Sequence, residues 1–235
     1  MNRIFQKILL FIFLSITPYS GISAKEQGYT WSITPPLFEK IISPGEQISF
    51  TIFLHNHGKD KVNLIGSIKS LTMESPGGSL EFVDDHTLPH SCQGWMRINP
   101  ISVIVAPKEE REIKVQIDVP KKIEGGYYAS IFFQPVEQTF QTTGNAVSFS
   151  LRMGTMVALR FRRTQNIDVV ILSFNAVNEE DCTLFRVVLH NRGNVHVSPE
   201  TSVVIMSEDN RVVDRLKYKE KSFILPDSEK RFQLV

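Results

Sequence analysis

The chain has 235 residues, of which 22% are charged and 42% hydrophobic, and its formal net charge is +1. A balance so near neutral lacks the basic footprint of nucleic-acid binders, so no nucleic acid is expected as partner. Two cysteines, Cys92 and Cys182, are too few for a disulfide framework.

Residues 1–24 read as a secretory signal peptide. Arg3 and Lys7 form a basic start, Ile8 to Ile16 an apolar run, and Gly21-Ile22-Ser23-Ala24 a small-residue exit. The apolar run is short of the roughly 20 residues that a bilayer core needs. The mature chain is therefore expected outside the cytoplasm, in the periplasm or at the cell surface. The remaining chain is long enough for two domains of about 100 residues, assigned here to 25–163 and 164–235. In an oxidising compartment the cysteines either stay free, one per domain, or pair across the domains.

Trp31 to Pro36 reads as an opening edge strand stopped by prolines, with Lys40 to Ile42 continuing it to the Pro44-Gly45 turn. Ile48, Phe50, Ile52 and Leu54 then alternate with polar residues, the period of a half-buried strand. Val62 to Ile68, Leu80 to Val83, Trp95 to Ile98 and Ile101 to Val105 come next, the last two broken at Pro100. After the charged turn at Pro107 comes the alternation Ile113, Val115, Ile117 and Val119. Tyr127 to Phe133 is apolar on both faces, as in a central strand with something packed over it. A polar hairpin, Gln134 to Asn145, feeds a long alternation from Val147 to Phe161, interrupted at Gly154 as a bulge or bend would interrupt it.

Arg162 to Asn166 is polar and without rhythm, a linker. Beyond it, Thr183 to Leu189 alternates like the strand ending at Leu54, and both copies close Leu-His-Asn-x-Gly. Leu225-Pro226-Asp227 resembles the charged turn of the first domain. Counterparts of Tyr127–Phe133 and Val147–Phe161 then lack sequence. This leaves two expectations: a shortened form of a longer protein, the favoured one, or an incomplete second sandwich closed by a strand from another chain. Many short strands, frequent turns and no helical period give an all-β fold of two tandem immunoglobulin-like sandwiches, the second incomplete.

The Pro44-Gly45-Glu46 turn, the Asn-x-Gly closure, Val119-Pro120 and Gly125-Gly126-Tyr127-Tyr128-Ala129 resemble immunoglobulin-like domains of exported bacterial proteins. Two groups share these features: PapD-like periplasmic pilus chaperones and WxL-interacting cell-surface proteins. The chaperone resemblance implies a basic pair that holds a subunit's C-terminal carboxylate, and a long strand that completes the subunit's sandwich. Lys40 stands at the first basic place. The second falls near Gly154, with Arg152 nearby, and Arg162 is followed by Arg163 and Thr164 instead of a Tyr-Arg-Pro-like end.

No nucleophile elbow, phosphate loop or zincin motif is present, so no enzyme activity and no cofactor is expected. His55 with His57 and His86 with His90 are turn residues before they are metal ligands, and no metal is assigned. Arg160, Arg162 and Arg163 are read as a charged linker, with pairing to an anionic cell-wall polymer or to a partner's acidic face as the other reading. The leading expectation is a non-catalytic envelope protein that binds another envelope protein or a cell-wall polymer through strand edges and loops. The alternative is a PapD-like chaperone donating the Val147–Phe161 strand. Candidate partner-binding residues are Lys40, Arg152, Val157, Leu159, Phe161, Tyr128 and Phe132. Membrane association is expected only for a longer form carrying an anchor.

Overall fold

The computed structural model describes residues 31–75, 77–136, 151–218 and 222–235. The signal peptide, residues 137–145 of the polar hairpin and residues 147–150 of the long alternation lie outside them. In chain order the first domain carries β1 (Trp31–Thr34), β2 (Leu37–Ile41), β3 (Gln47–Asn56), β4 (Val62–Met73), β5 (Leu80–Val83), β6 (Met96–Asn99), β7 (Ser102–Val105), β8 (Glu110–Asp118), β9 (Gly126–Pro135) and β10 (Met153–Arg160). The second carries β11 (Val169–Asn178), β12 (Thr183–Asn191), β13 (Ser202–Met206), β14 (Val212–Lys217) and β15 (Ser228–Leu234).

The first domain is a sandwich of one four-stranded sheet, β1-β3-β8-β6, and one six-stranded sheet ordered β2-β10-β9-β4-β5 with β7 also on β4. The predicted alternations face one another across it: Ile48, Ile52 and Leu54 of β3 and Ile113, Val115 and Ile117 of β8 bury against Leu64, Ile131, Phe133, Val157 and Leu159. Alternate residues of a pleated strand project to one side, so each strand gives one apolar row to this core.

The prolines mark changes of sheet. β1 pairs with β3, whereas β2, beyond Pro35-Pro36, pairs in parallel with β10 in the other sheet. Lys40 and Ile42 therefore do not continue the opening strand, as their sequence suggested. Pro100 likewise separates β6, on β8, from β7, on β4. A proline withholds a backbone donor from either ladder, which suits both crossings.

The second domain repeats the first. β11-β12-β15 matches β1-β3-β8 in order and direction, and the hairpin β13–β14 forms a second, two-stranded sheet. Among the described residues no strand covers β11 as β10 covers β1, and Ile171 and Phe174 stand 68% and 55% exposed. The shared Leu-His-Asn-x-Gly has one structural meaning. Asn56 Nδ2 donates to the carbonyls of Asp60 and Val105 while its Oδ1 accepts Gly58 N–H. Asn191 Nδ2 donates to Val195, Ile224 and Leu225 while its Oδ1 accepts Gly193 N–H. Each buried amide thus closes its own turn and ties it to the strand end before the charged turn.

Candidate partner-binding site

β10 has two unlike sides. Along its whole length it pairs antiparallel with β9, but β2 covers its other edge only from Met156 to Arg160. Met156 N–H donates to the Pro36 carbonyl at 2.9 Å and Thr155 Oγ1 donates to the Pro35 carbonyl at 2.7 Å, which marks where the cover ends. Peptide groups two residues apart on a strand point the same way. The N–H and C=O of Gly154 therefore face the side β2 has left, where no described strand pairs with β10. Such an edge is a template for an added strand.

Gly154 is no bulge: the β9–β10 register runs unbroken from Met153 to Arg160. The glycine is required by packing, because a Cβ there would meet the Phe132 ring at 2.5 Å. Arg152 stands over that ring, its guanidinium 4.2 Å from the centroid, and Phe82 meets it edge-on. Phe132 is thus buried within its own domain.

The face of β2 and β10 turned from the first core looks onto the second domain. It presents Leu37, Glu39 and Ile41 beside their partners Met156, Ala158 and Arg160. Arg160 Nη2 pairs with Glu39 Oε1 at 2.6 Å, and His196 Nε2 lies 3.5 Å from the same oxygen. His196 stacks on Phe223 and its Nδ1 lies 3.2 Å from Tyr128 Oη. Burial, reinforced by the Arg160 charge, lowers the His196 pKa to about 4, so the ring is neutral near pH 7. Burial pushes the Tyr128 phenol far above its ordinary value, so it keeps its proton. Leu37 and Ile41 remain 41% and 44% exposed at the cleft rim, giving an apolar wall beside one cation.

The residues singled out in the sequence disperse around this arrangement. Lys40 lies on the Phe38 side of β2, away from the cleft, and binds Glu46 at 2.7 Å. That bond, with the Ser43 amide, holds the Glu46 carboxyl below its usual pKa. Arg152 precedes β10, while Lys40 sits beside Leu159 near its far end. A rise of about 3.3 Å per residue puts the two about 20 Å apart, so they form no basic pair. Val157 and Leu159 are fully buried in the first core, and Phe161 packs against it. Their side chains meet the domain's own interior and offer no surface to a partner.

Tyr128 is 1% exposed, covered by the second domain through His196 and Phe223, so with Phe132 it makes no surface patch. Arg160, read with Arg162 and Arg163 as a charged linker, instead ends β10 and pairs with Glu39. It was legible by parity, because alternation that sends Val157 and Leu159 inward sends Ala158 and Arg160 to the cleft. Nothing in the sequence put His196 or Glu39 beside it. The histidines are engaged locally: Ser32 Oγ lies 2.8 Å from His57 Nε2, and His90 Nδ1 lies 2.8 Å from the Gly126 carbonyl.

No protein-family model matches the chain, and no curated protein matches it. Solved structures share its fold. A chain of the CsuC–CsuE chaperone–tip adhesion subunit pre-assembly complex, from the archaic chaperone-usher Csu pili of Acinetobacter baumannii, superposes with a TM-score of 0.50. The identity is 11%, over 86% of this chain and 86% of that one. The class 5 fimbriae chaperone CfaA gives 0.49 at 19% identity, over 85% and 83% of the two chains. The Salmonella enterica SafA pilin–SafB chaperone complex gives 0.48 at 8%, over 88% and 84%. At 11% identity the first is a likeness of fold, and the fold is the tandem immunoglobulin-like pair expected from the sequence.

Proposed function

We propose that this chain is a periplasmic, non-catalytic chaperone that binds a pilus-type subunit by lending it the open edge of β10. The observation that carries the reading is the end of β2 cover at Met156, which leaves the Gly154 peptide groups on the side where no described strand pairs with β10. The Csu assembly that shares its fold is a chaperone with a tip adhesion subunit, a partner of the kind such an edge would take. The broader reading, an envelope protein acting through strand edges, contains this one. In the cleft, Arg160 takes the place sought for Lys40: its charge, shared with Glu39, is available to an incoming chain-terminal carboxylate.

The test is hydrogen exchange on the mature protein with a peptide of alternating apolar residues and a free C-terminus. Binding should slow exchange at Gly154 and leave the β3 amides unchanged. Arg160→Ala should weaken binding of the free-acid peptide and not of its amide. Unchanged Gly154 exchange at saturating peptide would reject the reading.

A further inference from the structure

The two copies of the repeated closure agree up to the glycine and then diverge. In the first domain Gly58 is followed by Lys59-Asp60-Lys61, in the second Gly193 by Asn194-Val195-His196. The Asn56 and Asn191 amides use the same backbone position in each copy, Asp60 and Val195. The closure itself therefore needs nothing from the side chains that differ. Lys59 is exposed in its copy. Asn194 is occupied on every polar group.

Asn194 O accepts Gly126 N–H at 2.8 Å, and Asn194 N–H donates to the Asn166 carbonyl at 3.0 Å. Its Oδ1 accepts Asn166 N–H at 2.7 Å and its Nδ2 donates to the Thr164 carbonyl at 2.7 Å. One residue thus clasps the start of β9 and the linker at Thr164 and Asn166. Two residues on, His196 N–H donates to Tyr128 Oη at 2.6 Å. The first domain is shaped to receive this turn. Gly125 has φ +69°, and a Cβ there would strike the Asn194 carbonyl and side chain. Gly125 N–H is held by Thr164 Oγ1 at 3.0 Å.

We infer that Asn194 to His196 form a pin that fixes the angle between the domains and so the opening of the cleft bounded by Ile41 and Arg160. Asn194 is then a positioning residue: it touches no partner, but holds apart the walls between which a partner lies. The pin itself stands on the contacts above; only its value for partner binding rests on the chaperone reading.

The experiment is a distance measurement between spin labels at Lys114→Cys and Arg211→Cys, both exposed, in a Cys182→Ser background. The pinned protein should give one narrow distribution. Asn194→Ala should broaden it while Lys59→Ala, the counterpart substitution, leaves it unchanged. A narrow, unshifted distribution in folded Asn194→Ala overturns the inference. Exchange at Gly126 and His196 in the unsubstituted protein needs no variant. Both amides should open only with global unfolding, and Asn194→Ala should speed them by roughly tenfold or more. Local opening in the unsubstituted protein also overturns the pin. If the distribution broadens as expected but no peptide protects Gly154, the pin stands and the chaperone reading falls.

Discussion

Tyr128 and His196 stand in opposite domains, and the phenol oxygen of one accepts the backbone N–H of the other at 2.6 Å. The bond lies within a buried cluster that crosses the boundary, with Leu71, Met73 and Ala158 on one side and Ile224 and Leu225 on the other. Tyr128→Phe keeps the ring against Phe223 and removes the hydroxyl, which accepts His196 N–H and lies 3.2 Å from its Nδ1. A buried amide without an acceptor costs about 1–3 kcal/mol. The denaturation midpoint should fall accordingly, and a midpoint equal to that of the unsubstituted protein would contradict the assignment.

Gly154→Ala puts a methyl group into the Phe132 ring, which is already held between Arg152 and Phe82. Overpacking of this kind costs about 1–3 kcal/mol. Phe132→Leu in the same chain should relieve part of the loss, since it removes the ring but leaves the Ile131 carbonyl 2.9 Å from the new methyl. A second substitution that adds its own cost in full would show that the ring is not the obstacle.

Asn56 and Asn191 close their turns with no partner in common. Asn56→Ala takes a hydrogen-bond partner from the Asp60 and Val105 carbonyls and the Gly58 amide, and Asn191→Ala takes one from the Val195, Ile224 and Leu225 carbonyls and the Gly193 amide, a loss of about 1–3 kcal/mol each. Separate sites add, so the double variant should lose the sum, measured by urea unfolding. Asn→Asp at either position should not rescue it, because the lost Nδ2 donor serves the carbonyls.

His196 gives the stability a pH dependence of known sign. Folded, the ring takes a proton only at about pH 4; its ordinary pKa is 6.5. Between those values the unfolded chain binds a proton that the folded one refuses, so stability falls as the pH drops through that window and levels off below it. The loss amounts to at most roughly 3 kcal/mol. The lowered carboxyls of Glu46, Asp84 and Asp85 also cost stability on acidification, but only below their ordinary values of 4.5 and 3.8. The slope between pH 6.5 and 4.5 should therefore flatten in His196→Gln, and a slope that survives the substitution would assign it elsewhere.

The two cysteines are free and unlike. Cys92 is fully buried and burial drives its thiol pKa far up, whereas Cys182 is half-buried. A thiol reagent should label Cys182 in the native protein and Cys92 only on unfolding. Labelling of both at equal rates in native buffer would contradict the buried position of Cys92.

Strands were legible wherever apolar and polar residues alternate: β3, β8 and β12 fall where the period of two puts them. The repeat was legible as well, although its histidine drew attention that belonged to its asparagine. Hydrogen bonding by an amide leaves no periodic trace, so Asn56 and Asn191 looked like ordinary turn residues. The prolines announced an end to pairing without saying that the chain resumes in the other sheet, because a missing donor is silent about where the next partner lies. The two-sided apolarity of β9 said that something packs over Tyr128 and Phe132 and left open whether it is a partner or the chain itself. What covers each, a second domain for one and Arg152 with Phe82 for the other, depends on contacts distant in sequence. The site suffered most, since Arg160, Glu39 and His196 meet only after three separate segments have folded.

The crossing at Pro35-Pro36 acts as a ruler. Its carbonyls meet Thr155 and Met156 and so decide how many rungs of β10 stay uncapped, although they belong to the other end of the domain's sequence. Moving that proline pair by two residues would lengthen or shorten the stretch of β10 that β2 leaves unpaired without altering a single letter of β10. On the proposed chaperone reading, the span offered to a subunit and the side chains that line it would vary independently.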